Sequence, residues 1–250
     1  MLQAVYLIAT SFPTGILIGL TGIGGAAFMT PFLILVIGLR PDLAVGTDLA
    51  YVVVTKAVGS WFHWKRGHVD VRLACQLASA SLPAAALGTL LMTCIHYSAN
   101  GDERLKGVIG VVLAVVAAVS ALLPSKIPAD ITRMQSNIGT AVYAGVAGLL
   151  VGLTSVGSGS LVLPFLLMVN RLPVVRAVGT DIFHAMVLVA WTAVLHASTK
   201  SVQWEMVPWL LLGSLPGVVI GSRLAPRLPE RLLRLVVVAM LLLSAFRLLA

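Results

Sequence analysis

Charge is what this sequence has least of. Asp, Glu, Lys and Arg make up 10% of its 250 residues, against roughly a quarter in an ordinary soluble domain. A water-facing surface for a chain of this size cannot be built from so few ionised groups, which excludes a soluble enzyme. Acid is scarcer than base, nine residues against 17, yet the basic residues are scattered singly through short hydrophilic gaps, so no nucleic-acid face forms. Retention of Lys and Arg on one side of a bilayer accounts for them better. Cysteine is nearly absent. Cys75 and Cys94 fall in one apolar stretch, about 28 Å apart if it is helical, so neither a disulfide framework nor a cysteine metal site follows. Also missing are H-E-x-x-H, C-x-x-C, G-x-x-x-x-G-K-[ST] and G-x-S-x-G. Their absence argues against an enzyme, an ATP motor, a resident cofactor or a metal site in this chain.

What the sequence has in excess is apolar side chains, 59% of the total. They form segments at 2–20, 26–38, 43–62, 71–97, 105–123, 137–153, 159–169, 177–197, 205–222 and 231–249, which predict an all-α integral membrane protein with eight to ten membrane segments. The opening MLQAVYLIATSFPTG lacks a basic flank and a cleavage site, so it is expected to remain as the first membrane helix. Most segments have the roughly 20 residues a helix needs to cross the hydrocarbon, but 26–38 and 159–169 are too short. Each follows a Gly-rich break, Thr21-Gly22-Ile23-Gly24-Gly25 and Thr154-Ser155-Val156-Gly157-Ser158-Gly159-Ser160. Unwound backbone at membrane depth is tolerated only where protein or a wet cavity covers it.

The two breaks are copies. Residues 15–89 align with 148–222 without a gap, and about a third of the positions are identical. Shared Pro31-Phe32-Leu33 and Pro164-Phe165-Leu166, Ala44 to Asp48 and Ala177 to Asp181, and His63 and His196 exceed what apolar composition produces by chance. The chain is therefore read as a first transmembrane repeat over 1–124, a cytoplasmic linker over 125–136 and a second repeat over 137–250. Each repeat holds a broken helix pair plus three transmembrane helices. That number of crossings is odd whether the pair spans or re-enters, so the second repeat is inverted. Loop charge agrees: alternating the segments puts eleven basic residues on one side (Lys65, Arg66, Arg72, Lys126, Arg133, Arg171, Arg176, Arg223, Arg227, Arg231, Arg234) and five on the other. The richer side is expected to be cytoplasmic, with both termini outside, in a multi-pass protein of a bacterial inner or plasma membrane. Inverted repeats with paired broken helices are a recurrent plan of secondary transporters, whose substrate sits between the repeats.

Two constellations can carry chemistry. The short helices after the breaks are expected to begin near Ala26 and Ser160 with free N–H groups and a positive dipole end, a receptor for an oxyanion. Thr21, Gly22, Gly24 and Gly25 in one repeat, and Thr154, Ser155, Gly157, Ser158, Gly159 and Ser160 in the other, are the candidate substrate-binding residues; close helix packing is the competing role of such small residues. The second constellation is Gly46-Thr47-Asp48 with Gly179-Thr180-Asp181. Thr47 and Thr180 join the binding candidates. Asp48 and Asp181 either cap helices at the interface or face a cavity, where an ionised carboxylate must find a partner or take up a proton, the basis of proton coupling. Lys56, two turns beyond Asp48, is a counter-ion to that acid or to a bound anion, or else snorkels to the interface. His63 and His196 sit beside Trp61, Trp64 and Trp191 as an interfacial belt. His184, equivalent to Tyr51, is a minor candidate for titration.

At Gly-Leu-Thr-Gly-Ile-Gly-Gly, Pro31-Phe32-Leu33 and Ala-Val-Gly-Thr-Asp, and at their second copies, the sequence resembles the TauE/SafE family of sulfite exporters, also called the toluenesulfonate uptake permease family. The likeness covers nearly the whole chain. It implies an anion transporter, with the family's Gly-rich motif at Gly19, Gly22, Gly24 and Gly25 and its Ala-Val-Gly-Thr motif at 44–47 and 177–180. The second copy departs from the first, because Ser155 and Ser158 replace Gly22 and Gly25, so the halves are expected to hold ligand unequally. The resulting expectation is a secondary transporter of a small sulfur-containing anion such as sulfite, thiosulfate or an organosulfonate, proton-coupled and working by alternating access at the two breaks. An uncoupled anion channel and a non-transporting membrane scaffold or accessory subunit are the alternatives. The partners expected are the small anion, the lipid bilayer and possible further copies of the chain in a homo-oligomer.

Overall fold

A computed structural model describes residues 2–21, 26–122, 137–157, 159, 161–168, 172–224 and 229–250. Ten helices and no strand occur among them: α1 Leu2–Thr21, α2 Ala26–Leu35, α3 Pro41–Lys65, α4 Val71–His96, α5 Gly101–Leu122, α6 Asn137–Thr154, α7 Val162–Met168, α8 Val174–Ser198, α9 Val207–Leu224 and α10 Glu230–Leu249. These are the ten apolar segments of the sequence, with α3 reaching back to Pro41 and α7 starting at Val162. The expected linker 125–136 lies outside the described residues. Among the described residues four helices are long and apolar enough to cross a membrane, Pro41–Lys65, Val71–His96, Gly101–Leu122 and Val175–Ser198, and Ala4–Leu20, Ile138–Thr154, Val207–Gly221 and Leu235–Leu249 are shorter apolar helices.

Local chemistry explains the helix ends. Proline at the first position of α3 loses no hydrogen bond there and presets φ. The Asp70 carboxylate caps α4 by accepting from the Leu73 amide at 3.1 Å. Pro13, Pro83 and Pro216 sit inside α1, α4 and α9, and Pro31 inside α2, each removing one ladder bond from its helix.

The polarity of the bundle is reversed relative to a soluble fold. Leu87, Leu90, Val115, Leu235 and Leu243 face outward, while Thr47, Asp48, Ser81, Thr180, Asp181, His184 and Ser214 are buried among Leu, Val and Ala. Such an arrangement suits hydrocarbon as the surrounding solvent and puts polar groups between helices.

Small residues set the pairings. In α9, Gly213 lies against Ile8 and Ser11 of α1, Gly217 against Phe12 and Ile16, and Gly221 against Ile16 and Leu20, so the two helices run parallel. Gly148 of α6 meets Ser81 of α4, Gly152 meets Ala85, and Gly88 meets Leu149 and Leu153, again in parallel. A side chain at these glycines would strike backbone, which is why the helices can approach so closely. By contrast α3 and α8 are antiparallel: Gly46 abuts Ser201 just beyond α8, Gly59 abuts Ile182, and Gly179 abuts His68 just beyond α3. α5 packs on α10. These contacts come in pairs related by one sequence shift, since Gly15 with Ser214 matches Gly148 with Ser81, and Gly46 with Ser201 matches Gly179 with His68.

Candidate functional site

Asp48 and Asp181 lie well inside α3 and α8, whose N-caps are Arg40 and Pro173. Helix capping at the interface is therefore not their role. Both are fully buried. The Asp48 Oδ2 accepts a hydrogen bond from Thr30 Oγ1 of α2 at 2.7 Å and another from Ser155 Oγ at 2.8 Å, while its Oδ1 has no hydrogen-bond partner. Ser155 follows the last residue of α6 and stands at φ 63°, the left-handed region that a serine seldom enters. A carboxylate of the first half thus holds the helix break of the second. Asp181 is built differently. Its Oδ1 is buried without a hydrogen-bond partner, and the carboxylate interacts electrostatically with Lys56 of α3. Thr30 and Ser155 are matched in the other copy by Leu163 and Gly22, which carry no hydroxyl, and Lys56 is matched by Val189.

Lys56 is buried, so it does not snorkel. Spacing along α3 relates it to Asp48, and the packing of the helices adds a second acid. Antiparallel packing sets Gly59 of α3 against Ile182 of α8, and across this contact Lys56 interacts electrostatically with Asp181.

Thr47 and Thr180 serve the two halves identically. The Gln203 amide donates to Thr47 Oγ1 at 2.9 Å, and the Asp70 amide donates to Thr180 Oγ1 at 2.9 Å. Each hydroxyl thereby ties the loop before α9 or α4 to the opposite half. The ring of His184 shares a 2.9 Å hydrogen bond between Nε2 and Ser81 Oγ, whereas the hydroxyl of its repeat mate Tyr51 is buried without a hydrogen-bond partner. His196 Nε2–H donates to the Gly152 carbonyl at 2.9 Å; it is a buried helix–helix contact rather than a belt residue. His63 is partly exposed near the end of α3, where a belt is expected.

At the second break the Thr154 hydroxyl donates to the Leu150 carbonyl at 2.8 Å and accepts from the Val156 amide at 3.2 Å. Gly157 has φ 112°, which a side chain would resist, and the Gly159 amide turns back to the Gly157 carbonyl at 2.7 Å. These residues are buried, so the described part of the break is closed over. Tyr143 of α6 donates to the Leu161 carbonyl at 2.8 Å and stacks on Phe165, pinning the start of α7. In the first break Thr21 is the last residue of α1. Gly22, Gly24, Gly25, Ser158 and Ser160 lie outside the described residues.

Sequence reasoning missed Thr30. Its repeat position is Leu163, so comparing the copies hides it, and only the fold carries it to Asp48. It also gave Ser155 no partner, because a contact between residues 48 and 155 has no local signature.

A buried carboxylate between broken and antiparallel helices in a lipid-facing bundle belongs to the class of membrane transporters. Residues 7–248 match the profile of the family described as sulfite exporter TauE/SafE, and the chain belongs to that family. It is 37% identical over 254 residues to "Probable membrane transporter protein YjnA" of Bacillus subtilis, covering 98% of this chain and 100% of that one. Similarity extends to a "Probable membrane transporter protein" of Xylella fastidiosa, 27% identical over 86% of this chain and 82% of the relative. A third relative, YdhB of Bacillus subtilis, is 23% identical over 91% and 93% of the two chains. No solved structure matches.

Proposed function

We propose that the protein is a proton-coupled secondary transporter of a small sulfur-containing anion, sulfite, thiosulfate or an organosulfonate, working by alternating access between two inverted repeats, 1–124 and 137–250, joined by a cytoplasmic linker. Parallel pairing of α1 with α9 and of α4 with α6, together with antiparallel α3 and α8, supports the inversion, and the loop charges support termini on the outer side.

The observation that carries the reading is the bond from Ser155 to Asp48, by which one half grips the break of the other. With Asp48 ionised, its oxygen accepts from Thr30 and Ser155, and hydrogen bonds to a charged acceptor are roughly twice as strong as neutral ones. Protonation removes that charge, weakens the grip and frees the break to open a path to one side. The arriving anion binds at the amide groups of the breaks, where dipole and N–H donors favour it. The closed second break is the occluded member of this cycle.

Reconstitution into proteoliposomes tests it. Saturable exchange of labelled sulfite, accelerated by a proton gradient, is the expected result. Conductance without exchange would identify an uncoupled channel, and neither flux nor thermal stabilisation by any sulfur anion would identify a scaffold or accessory subunit; either result overturns the reading.

A further inference from the structure

We propose that Asp42, His96 and Asp102 form a binding site for one divalent transition-metal ion of the zinc or cobalt class, joining the ends of α3, α4 and α5. Asp42 is in the first turn of α3, His96 is the last residue of α4, and Asp102 is in the first turn of α5. The α4–α5 turn is tight, with Asn100 at φ 57°, and so brings His96 next to Asp102. Helix α3 delivers Asp42 from more than fifty residues upstream, which is why no motif announces the group in the sequence.

The distances are close to those of a loaded site. His96 Nδ1 is 3.2 Å from Asp102 Oδ1 and 3.9 Å from Asp42 Oδ1, and the three donor atoms lie within 4.8 Å of one another. Tetrahedral coordination with bonds of about 2.0–2.1 Å separates ligand atoms by about 3.3 Å, so small side-chain rotations suffice.

Asp42 itself points to a ligand independently of the clustering. It is 3% exposed, and its Oδ1 has no hydrogen-bond partner although buried carboxylate oxygens are normally satisfied. Its other oxygen is held by Arg40 at 2.9 Å. An outer partner that fixes a carboxylate and leaves one oxygen aimed inward is how metal-ligating acids are commonly oriented. His196 of α8 also acts on Asp42 electrostatically, but its Nε2–H is committed to the Gly152 carbonyl.

The approach is open. A cleft of about 320 Å³ lined by His96, Asn100, Gly101, Asp102 and Glu103 leads to the imidazole and gives room for a water as fourth ligand. One imidazole with two carboxylates suits zinc or cobalt, whereas calcium and magnesium prefer oxygen alone. The second half lacks the buried acid, because the position matching Asp42 holds Val175.

The test uses tag-free, full-length protein in detergent, stripped with chelator and titrated with Co2+. One equivalent binding with the intense visible absorption of a tetrahedral site, displaced by Zn2+, is expected. His96→Gln should weaken binding at least tenfold and Asp42→Asn likewise. Because Asp42 is buried, the His96→Gln variant and the circular-dichroism spectrum separate loss of the site from loss of the fold. Arg40→Gln should weaken it less while leaving the absorption shape. Absence of stoichiometric binding by the wild-type protein, or binding that His96→Gln leaves unchanged, would overturn the proposal.

Discussion

Asp48 and Asp181 occupy the same place in two copies of one sequence, Ala-Val-Gly-Thr-Asp, and their surroundings have diverged. Asp48 is held by two neutral hydroxyl donors, one of them from the opposite half, whereas Asp181 interacts electrostatically with the buried Lys56. The threonines one residue earlier have not diverged at all, since Thr47 and Thr180 bind loop amides at the same distance. Duplication preserved the joints that hold the halves together and differentiated the charges between them. A carboxylate with only hydroxyl partners can exchange a proton without leaving a stranded countercharge; a carboxylate beside a lysine cannot. Within the transport mechanism proposed above, the first is therefore the expected coupling group.

The largest effect that bears on this contrast is expected from Asp48→Asn, which should abolish acceleration of flux by a proton gradient, a loss of at least tenfold, while counterflow exchange persists. A double Asp181→Asn, Lys56→Gln variant should keep that acceleration. If the double variant loses the coupling and Asp48→Asn keeps it, the assignment of roles is reversed.

Stability breaks the comparison in another way. Lys56→Met or Asp181→Asn alone removes one member of an electrostatically interacting buried pair and should lower the melting temperature, whereas removing both should cost less than the sum of the two single losses. Thermal unfolding in detergent of the two single variants and a Lys56→Met, Asp181→Asn double variant checks this. Additive losses would mean that the two groups are not paired. Helix-pairing variants come next: Gly15→Val and Gly148→Val should destabilise to a similar degree, because each side chain would strike the backbone of a matched serine, Ser214 or Ser81. Unequal melting shifts would show that the two joints are not equivalent.

Smaller effects are expected at the hydroxyls. Thr30→Val and Ser155→Ala each remove one donor to Asp48 and should cost about 1.5–3 kcal/mol, the range for hydrogen bonds to a charged group. Leu163→Val, at the position corresponding to Thr30, should change stability by about 1 kcal/mol and leave proton coupling alone. Flux measured against pH for the three variants separates donors to Asp48 from mere packing.

Much of this architecture is legible before folding. Ten helices follow from runs of apolar residues because hydrocarbon demands internally satisfied backbone, and proline and glycine mark their ends and interruptions. The duplication is legible because Gly, Pro and Asp rarely recur in register by chance. The candidate residues are legible and their pairing is not: Asp48 and Ser155 can be singled out, but spacing along one helix relates Lys56 to Asp48 and says nothing about the acid on the helix lying across it. Thr30 left no trace, since a threonine in an apolar helix is ordinary until a carboxylate stands opposite.

Composition and pattern by themselves determined that the chain is helical, lives in lipid and consists of two related halves, since each of these depends on the solvation of individual segments. Only the tertiary structure decided which acid meets a lysine, which meets hydroxyls and which break is gripped by the other half. Those outcomes depend on the direction in which α3 crosses α8, a property of close packing at glycine contacts and not of any segment alone.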